Sequence, residues 1–335
     1  MEYKILGKTG LKISRLGFGG IPIQRIDAAG TRGLMLSMKD AGVNFIDTAR
    51  SYTVSENYLG EALEGIREHF VLATKSMSRD KENILKDIDI SLQNLRTDYI
   101  DLYQCHNPSA DDLEKIIAPG GALEGLKEAK AAGKIGHIGL TAHSVEVFEK
   151  ALEMDWVETI MFPYNIVETQ GEELIRRCAE KNIGFICMKP LAGGALEDAT
   201  LALRYIVNND AVTVVIPGMA EEKEIAQNIA AVCESTPLSA SELAAIENIR
   251  NTLGTQFCRR CNYCAPCTVG IPIYTVFLLD GYLTRYGLSD WAQMRYDNMA
   301  AKASDCVDCG ICETRCPYNL PIREMLKSAA KKFEK

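Results

Sequence analysis

Short apolar runs alternate with amphipathic stretches over most of the chain. Residues 3–16 alternate apolar and polar positions around Gly7-Lys8-Thr9-Gly10, the pattern of a β-hairpin. Beyond it, apolar runs at Arg15–Gly19, Val43–Asp47, Phe70–Thr74, Tyr99–Cys105, Lys134–Leu140, Thr159–Pro163, Gly184–Met188 and Val212–Ile216 predict strands. Helical periodicity fills most of the gaps, for example Ser55–Glu68, Lys81–Leu95, Ala122–Ala132, Ser144–Glu153 and Gly171–Lys181. Gly42, Gly133 and Asn182-Ile183-Gly184 read as helix stops just before a strand. Eight βα units in about 230 residues have the size and rhythm of a (β/α)8 TIM barrel. A doubly wound open sheet is the competing arrangement; no GxGxxG follows the first strand, and eight regular units favour closure.

The rhythm ends at Leu238-Ser239-Ala240-Ser241-Glu242-Leu243, where a Ser-x-x-Glu capping box opens a helix to about Arg250. From Thr255 the composition changes to cysteine, aromatics and proline. The expected organisation is a barrel over 1–236, a helical linker over 237–254, and a small, mainly α-helical ferredoxin-like domain over 255–335. In that last domain Val276–Leu283 and Ala292–Lys302 read as helices. Tyr282, Tyr286, Trp291 and Tyr296 read there as packing aromatics, or as a cover for the barrel mouth.

Charge narrows the partners. With 37 Lys plus Arg against 45 Asp plus Glu the net charge is −8, which argues against nucleic-acid binding through a general basic field. No window approaches the roughly 18 apolar residues of a membrane span, and MEYKILGKTGLKIS lacks the apolar core of a signal peptide. The expectation is a soluble, cytoplasmic protein without membrane or nucleic-acid partners.

Four side chains at strand ends form a proton-transfer set. Asp47 and Tyr52 follow the second barrel strand, Lys75 ends the third and His106 the fourth. Barrel geometry places all four at the C-terminal face, where this fold keeps its chemistry. Carbonyl reduction needs a hydride and a proton. A phenol with an ordinary pKa of about 10 is a poor acid near neutrality. A neighbouring ammonium favours the phenolate, a carboxylate holds the lysine, and a histidine orients the substrate oxygen. Singly, each has a plain structural reading as strand end, loop packing or turn cap; together they predict chemistry.

Of the twelve cysteines, eight fall between Cys258 and Cys316. In a cytosolic chain such clustering indicates metal before disulfides. The second run, Cys306, Cys309, Cys312, Cys316-Pro317, matches C-x2-C-x2-C-x3-C-P of two-cluster ferredoxins, in which the fourth cysteine serves the other cluster. The expected pairing is Cys258, Cys261, Cys264 and Cys316 around one [4Fe–4S] cluster, and Cys306, Cys309, Cys312 and Cys267 around a second. In the first run Pro266 precedes the last cysteine, so a three-cysteine or single-cluster variant stays open. Structural zinc also uses CxxC pairs, but triplets followed by proline fit it poorly.

The chain resembles the aldo-keto reductase family over residues 1–250. The resemblance rests on GVNFIDTA-x-x-Y-x-x-SE-x-x-LG-x-AL at Gly42–Leu63, ATK at Ala73–Lys75 and LYQCH at Leu102–His106. It continues in IGLTAHS at Ile138–Ser144, PYN at Pro163–Asn165, KPLAGG at Lys189–Gly194 and VIPG at Val215–Gly218. It implies Tyr52 as general acid, Lys75 as its tuner, Asp47 as the lysine's partner and His106 as substrate orienter. It also implies nicotinamide binding without a Rossmann domain, with Thr141, Asn165, Pro190, Leu191, Gly218, Gln227 and Asn228 on the cofactor side. Several positions depart from the family pattern: Ala142 replaces an amide, Met161 a glutamine and Met188 a stacking tyrosine. Gly218 and Glu224 stand where members that prefer a 2′-phosphate place Lys and Arg. NAD(H), NADP(H) and a flavin therefore all remain open as the barrel cofactor.

Taken together, the expected function is an oxidoreductase acting on a carbonyl/alcohol pair. Its two clusters would exchange electrons with a ferredoxin-type carrier. The alternatives are a plain reductase with structural clusters, and a redox-sensing or binding module with little turnover.

Overall fold

The computed structural model describes residues 1–234, 236–253, 256–260 and 262–334; the expected junction at 254–255 and Cys261 lie outside them. Two compact units divide the chain. The first is Met1–Asn165, Thr169–Leu191 and Asp198–Leu238; the second is Ile166–Glu168, Ala192–Glu197 and Ser239–Lys335. The second unit thus includes short segments that follow two barrel strands in the chain.

In the first unit β1 (Tyr3–Ile5) and β2 (Lys12–Ser14) form the antiparallel hairpin. Eight parallel strands follow: β3 (Phe18–Gly19), β4 (Phe45–Asp47), β5 (Val71–Ser76), β6 (Ile100–Cys105), β7 (Ile135–Thr141), β8 (Thr159–Pro163), β9 (Gly184–Met188) and β10 (Val214–Val215). They pair in chain order. Gly17 N donates to Val215 O at 2.9 Å and Val215 N to Arg15 O at 3.0 Å, so the last strand returns to the first and the sheet closes. The barrel expectation holds, and the open doubly wound sheet does not.

Strand alternation sorts side chains to two cores. Phe45, Ala73, Leu102, Met161, Ile186 and Val214 pack together inside the barrel. Their neighbours Ile46, Leu72, Tyr103, Ile160, Phe185 and Val215 pack in the larger core that also takes in helix residues such as Ile84, Ile88 and Leu203. Two residues beyond the inner layer, on the same face, stand Asp47, Lys75 and Gln104, all buried. The period of two thus lifts Asp47 and Lys75 of the candidate acid–base set onto one layer at the C-terminal ends of adjacent strands.

The helix expected over Ser55–Glu68 ends at Ala62. Gly65, at φ +74°, takes the left-handed turn, and Arg67–His69 forms a 3-10 turn. The second unit is helical, with Ala240–Leu253, Ile273–Thr284, Ser289–Asp297, Ile311–Thr314 and Ile322–Phe333. The helix expected over Ala292–Lys302 begins earlier and is capped at Asn298. Tyr296 stacks on Phe333 at 4.2 Å, and Tyr282 lies 4.9 Å from Trp291 and 5.1 Å from Tyr286, so these aromatics pack within their own unit. Among the described residues no helix is long and apolar enough to cross a membrane.

Candidate active site and iron–sulfur centre

Lys75 Nζ donates to Asp47 Oδ2 at 2.5 Å and to the Thr48 carbonyl at 2.6 Å. Gln104 Nε2 donates to the other oxygen of Asp47 at 3.2 Å. Burial pushes the Asp47 carboxyl up and the Lys75 ammonium down from their ordinary values, and their mutual contact opposes both shifts. The Lys75 ammonium sits 4.9 Å from the Tyr52 ring centroid. Tyr52 meets His106 edge to face at 6.1 Å. All four expected residues therefore stand together: a buried ion pair beneath a half-buried phenol and imidazole.

The loop bearing Tyr52 is tied down by residues to which the sequence analysis assigned no role. Arg50 N donates to the Lys75 carbonyl at 3.0 Å. The Arg50 guanidinium reaches Glu56 at 3.1 Å. Glu56, 1% exposed, also accepts from Thr74 and Ser91 hydroxyls at 2.8 Å and from Asn94 at 3.1 Å. One carboxylate thus joins the helix after Tyr52, strand β5 beside Lys75, and the helix Lys81–Asn94. Gly60 permits this approach, since a Cβ there would stand 2.1 Å from the Asn94 carbonyl oxygen. The Ser-Glu pair inside the quoted motif was the available signal, but its partners are distant in the chain. Arg79 likewise holds the His106 carbonyl at 2.8 Å.

The residues expected on the cofactor side are distributed as follows. Thr141, buried at the end of β7, accepts from Asn107 N at 2.9 Å and so fixes the residue after His106. Asn165 is fully buried and donates to the Lys189 carbonyl at 2.9 Å, adjoining buried Pro190 and half-buried Leu191. Gly218 is exposed and bridges Gly19, and a Cβ on it would meet Pro22 at 2.5 Å, leaving bare backbone at this rim. On the helix Glu222–Cys233, Asn228 is buried and Gln227 is exposed. Glu224 folds back so that its carboxylate accepts from Ala220 N at 2.7 Å and Glu221 N at 2.9 Å. The backbone amides of the N-cap and of the residue before it are thereby taken by the protein's own anion.

In the second unit Cys267, Cys306, Cys309 and Cys312 line one common cleft. Thr268 Oγ1 lies 3.5 Å from Cys309 Sγ, and Arg315 donates to the Pro266 carbonyl at 3.0 Å, so the two cysteine runs are laced together. The Thr268 hydrogen bond first, and then the Ile311 amide, hold the Cys309 thiol below its ordinary value. An all-thiol donor set from a C-x2-C-x2-C run and a cysteine of the other run suits an iron–sulfur cluster, whereas structural zinc takes its thiolates as CxxC pairs. Cys258, Cys264 and Cys316 are half-buried, and Cys261 lies outside the described residues.

Comparison with known proteins agrees with this picture. Residues 15–201 and 197–251 match the model of the aldo/keto reductase family, and residues 257–321 match a 4Fe-4S dicluster domain. The chain is 27% identical over 308 residues to L-galactose dehydrogenase of Arabidopsis thaliana, covering 75% of this chain and 96% of that protein. It is 32% identical over 235 residues to aldo-keto reductase YhdN of Bacillus subtilis, covering 63% and 70%. The solved structure of aldo-keto reductase AKR11C1 from Bacillus halodurans in its holo form superposes with a TM-score of 0.65 at 28% identity, covering 74% of this chain and 96% of that one. The chain therefore belongs to the aldo/keto reductase family, as an oxidoreductase whose barrel is followed by a 4Fe-4S domain.

Proposed function

We propose that the protein interconverts a small-molecule carbonyl and its alcohol, with Tyr52 as general acid and base and NAD(H) as the barrel cofactor. The observation that carries this reading is the Asp47–Lys75 pair at 2.5 Å with the ammonium 4.9 Å from the Tyr52 ring. When bound, the nicotinamide supplies or accepts the hydride. Tyr52 gives its proton to the carbonyl oxygen as negative charge develops there, and the adjacent ammonium stabilises the phenolate left behind. His106 orients the substrate oxygen beside the phenol. Asp47 holds Lys75 in place and keeps its charge compensated in a buried site.

Thr141, Asn165, Pro190, Leu191, Gly218, Gln227 and Asn228 would line the cofactor. Glu224 favours NAD(H) over NADP(H), because its carboxylate is held at the start of the helix by the Ala220 and Glu221 amides and would repel a 2′-phosphate nearby. In the second unit Cys267, Cys306, Cys309 and Cys312 would hold one [4Fe–4S] cluster, and Cys258, Cys261, Cys264 and Cys316 another. A cluster moves one electron and a hydride carries two, so the clusters serve exchange with a ferredoxin-type carrier, separate from direct carbonyl reduction.

The test uses anaerobically purified protein with iron and sulfide determined. NADH- and NADPH-linked reduction of 4-nitrobenzaldehyde and nucleotide binding are then measured for wild type and Tyr52→Phe. The expected result is about 10²–10⁴-fold loss of turnover in the variant, with unchanged iron and tighter binding of NADH than NADPH. Undiminished turnover in Tyr52→Phe overturns the proton-donor role, and preference for NADPH overturns the role of Glu224.

A further inference from the structure

Between Cys258 and Cys261 stand two arginines, each only 9% exposed. Arg260 places Nη2 2.5 Å from Glu168 Oε1, and Glu168 is fully buried. Its Nη1 donates to the carbonyl of Cys258 at 3.3 Å. Arg259 donates to the Val167 carbonyl at 3.0 Å and lays its guanidinium over the Tyr318 ring at 3.8 Å, just beyond Cys316 in the chain. All of these residues belong to the second unit.

A buried ion pair is weak evidence for stability, since apolar residues of similar size commonly do as well. The placement of this one needs another account. Carbonyl oxygen and Sγ of one cysteine lie within roughly 5 Å by covalent geometry. The Arg260 guanidinium therefore stands within roughly 9 Å of the Cys258 sulfur. A cluster held by four thiolates is anionic, and taking up one electron, from [4Fe–4S]2+ to [4Fe–4S]+, makes it more so. A fixed cation at that range favours the added electron and a fixed carboxylate opposes it.

We propose that Arg260 and Glu168 form a charge pair that sets the reduction potential of the cluster held by Cys258, Cys261, Cys264 and Cys316. Arg260 raises that potential and Glu168 tempers the rise. This rests on the cluster reading above. At about 9 Å and an effective dielectric of about 20, one charge changes a one-electron equilibrium on the order of tenfold, about 59 mV. The charges near the other cysteine set behave differently. Arg323 pairs with Glu313 at 2.8 Å, but its side chain is 40% exposed, so water and salt screen it.

The test is a redox titration of the full chain with dithionite, followed by electron paramagnetic resonance, with iron and sulfide determined for every variant. Arg260→Gln should lower one midpoint by on the order of tenfold in the reduced-to-oxidised ratio, about 59 mV. Glu168→Gln should raise the same midpoint, and the double variant should return it close to wild type. Arg260→Lys should retain it, and Arg323→Gln should leave both signals in place. Should Arg260→Gln shed iron, the Glu168→Gln and Arg260→Lys arms still decide. Midpoints that stay fixed in loaded variants, or that move in one direction for both single substitutions, overturn the proposal, since lost packing has no sign. A wild-type protein with nicotinamide-linked turnover but no iron–sulfur signal overturns the cluster reading itself, and the pair's role with it.

Discussion

Glu56 offers the sharpest test of how the acid–base site is held. Its two oxygens divide the work: Oε1 accepts from the Thr74 and Ser91 hydroxyls, both at 2.8 Å, and Oε2 from Arg50 and Asn94, both at 3.1 Å. Glu56→Gln preserves shape and one acceptor. The new NH2 then faces two donors, one of them a guanidinium. Losing a charge-assisted bond removes about 1.5–3 kcal/mol, and leaving a second buried donor unmade adds about 1 kcal/mol. The Arg50 side chain is 26% exposed, so water recovers part of this. A net loss of about 3 kcal/mol is expected. For a unit of this size it lowers Tm by about 6–12 °C. The assay is anaerobic urea and thermal unfolding followed by far-UV circular dichroism, within a cycle that includes Arg50→Met. The two losses should overlap, with a coupling of at least about 1.5 kcal/mol, since each removes the same contact. A loss under about 1 kcal/mol in Glu56→Gln, or additive losses in the double variant, refutes the reasoning.

Two further outcomes follow from the barrel. Gly60→Ala places a methyl 2.1 Å from the Asn94 carbonyl oxygen; the helices must part, costing about 1–3 kcal/mol, and an unchanged thermal midpoint would show that the close approach is not there. Glu158, just before β8, is pushed up by burial, but His137 at 2.7 Å, Lys130 at 2.7 Å and the Ile138 amide at 2.9 Å outweigh this and hold it at about 2, below its ordinary 4.5. The folded value is depressed, so its stabilisation is complete above pH 4.5 and fades as pH falls toward about 2. After allowance for its partial exposure, Glu158→Gln should lose about 1–2 kcal/mol at pH 7. The gap to wild type should close in acid, and a pH-independent gap in urea unfolding contradicts the assignment.

How much of this was legible in the sequence depended on how local the deciding force is. β8 and β9 fall where the apolar runs place them, at Thr159–Pro163 and Gly184–Met188, because a strand buried on both faces has few other readings. Periodicity carries the predicted helix from Ser55 past Ala62, whereas the backbone turns at Gly65. The helix read over Ala292–Lys302 was displaced because its start lies among polar residues, Ser289 and Asp290, which carry no apolar signal.

The placement of two of the candidate acid–base residues was legible for the same local reason. Asp47 and Lys75 each stand two positions beyond an inward apolar residue, Phe45 and Ala73, so one period-two register carries both to the layer above the core. Gln104 obeys the same register after Leu102 and could have been read from it. Glu56 could not: its four donors come from residues 50, 74, 91 and 94, and only the closed barrel brings them to one carboxylate. The proposed cofactor rim lies between these cases. Glu224 could be read as a misplaced anion, since charge is visible in sequence. That its carboxylate caps its own helix, answering Ala220 and Glu221 amides, required the fold. A residue that repels a phosphate by charge alone could swing away; one held by two amides cannot do so without uncapping the helix. The fold thus turns a compositional hint into a carboxylate held in place at the start of that helix.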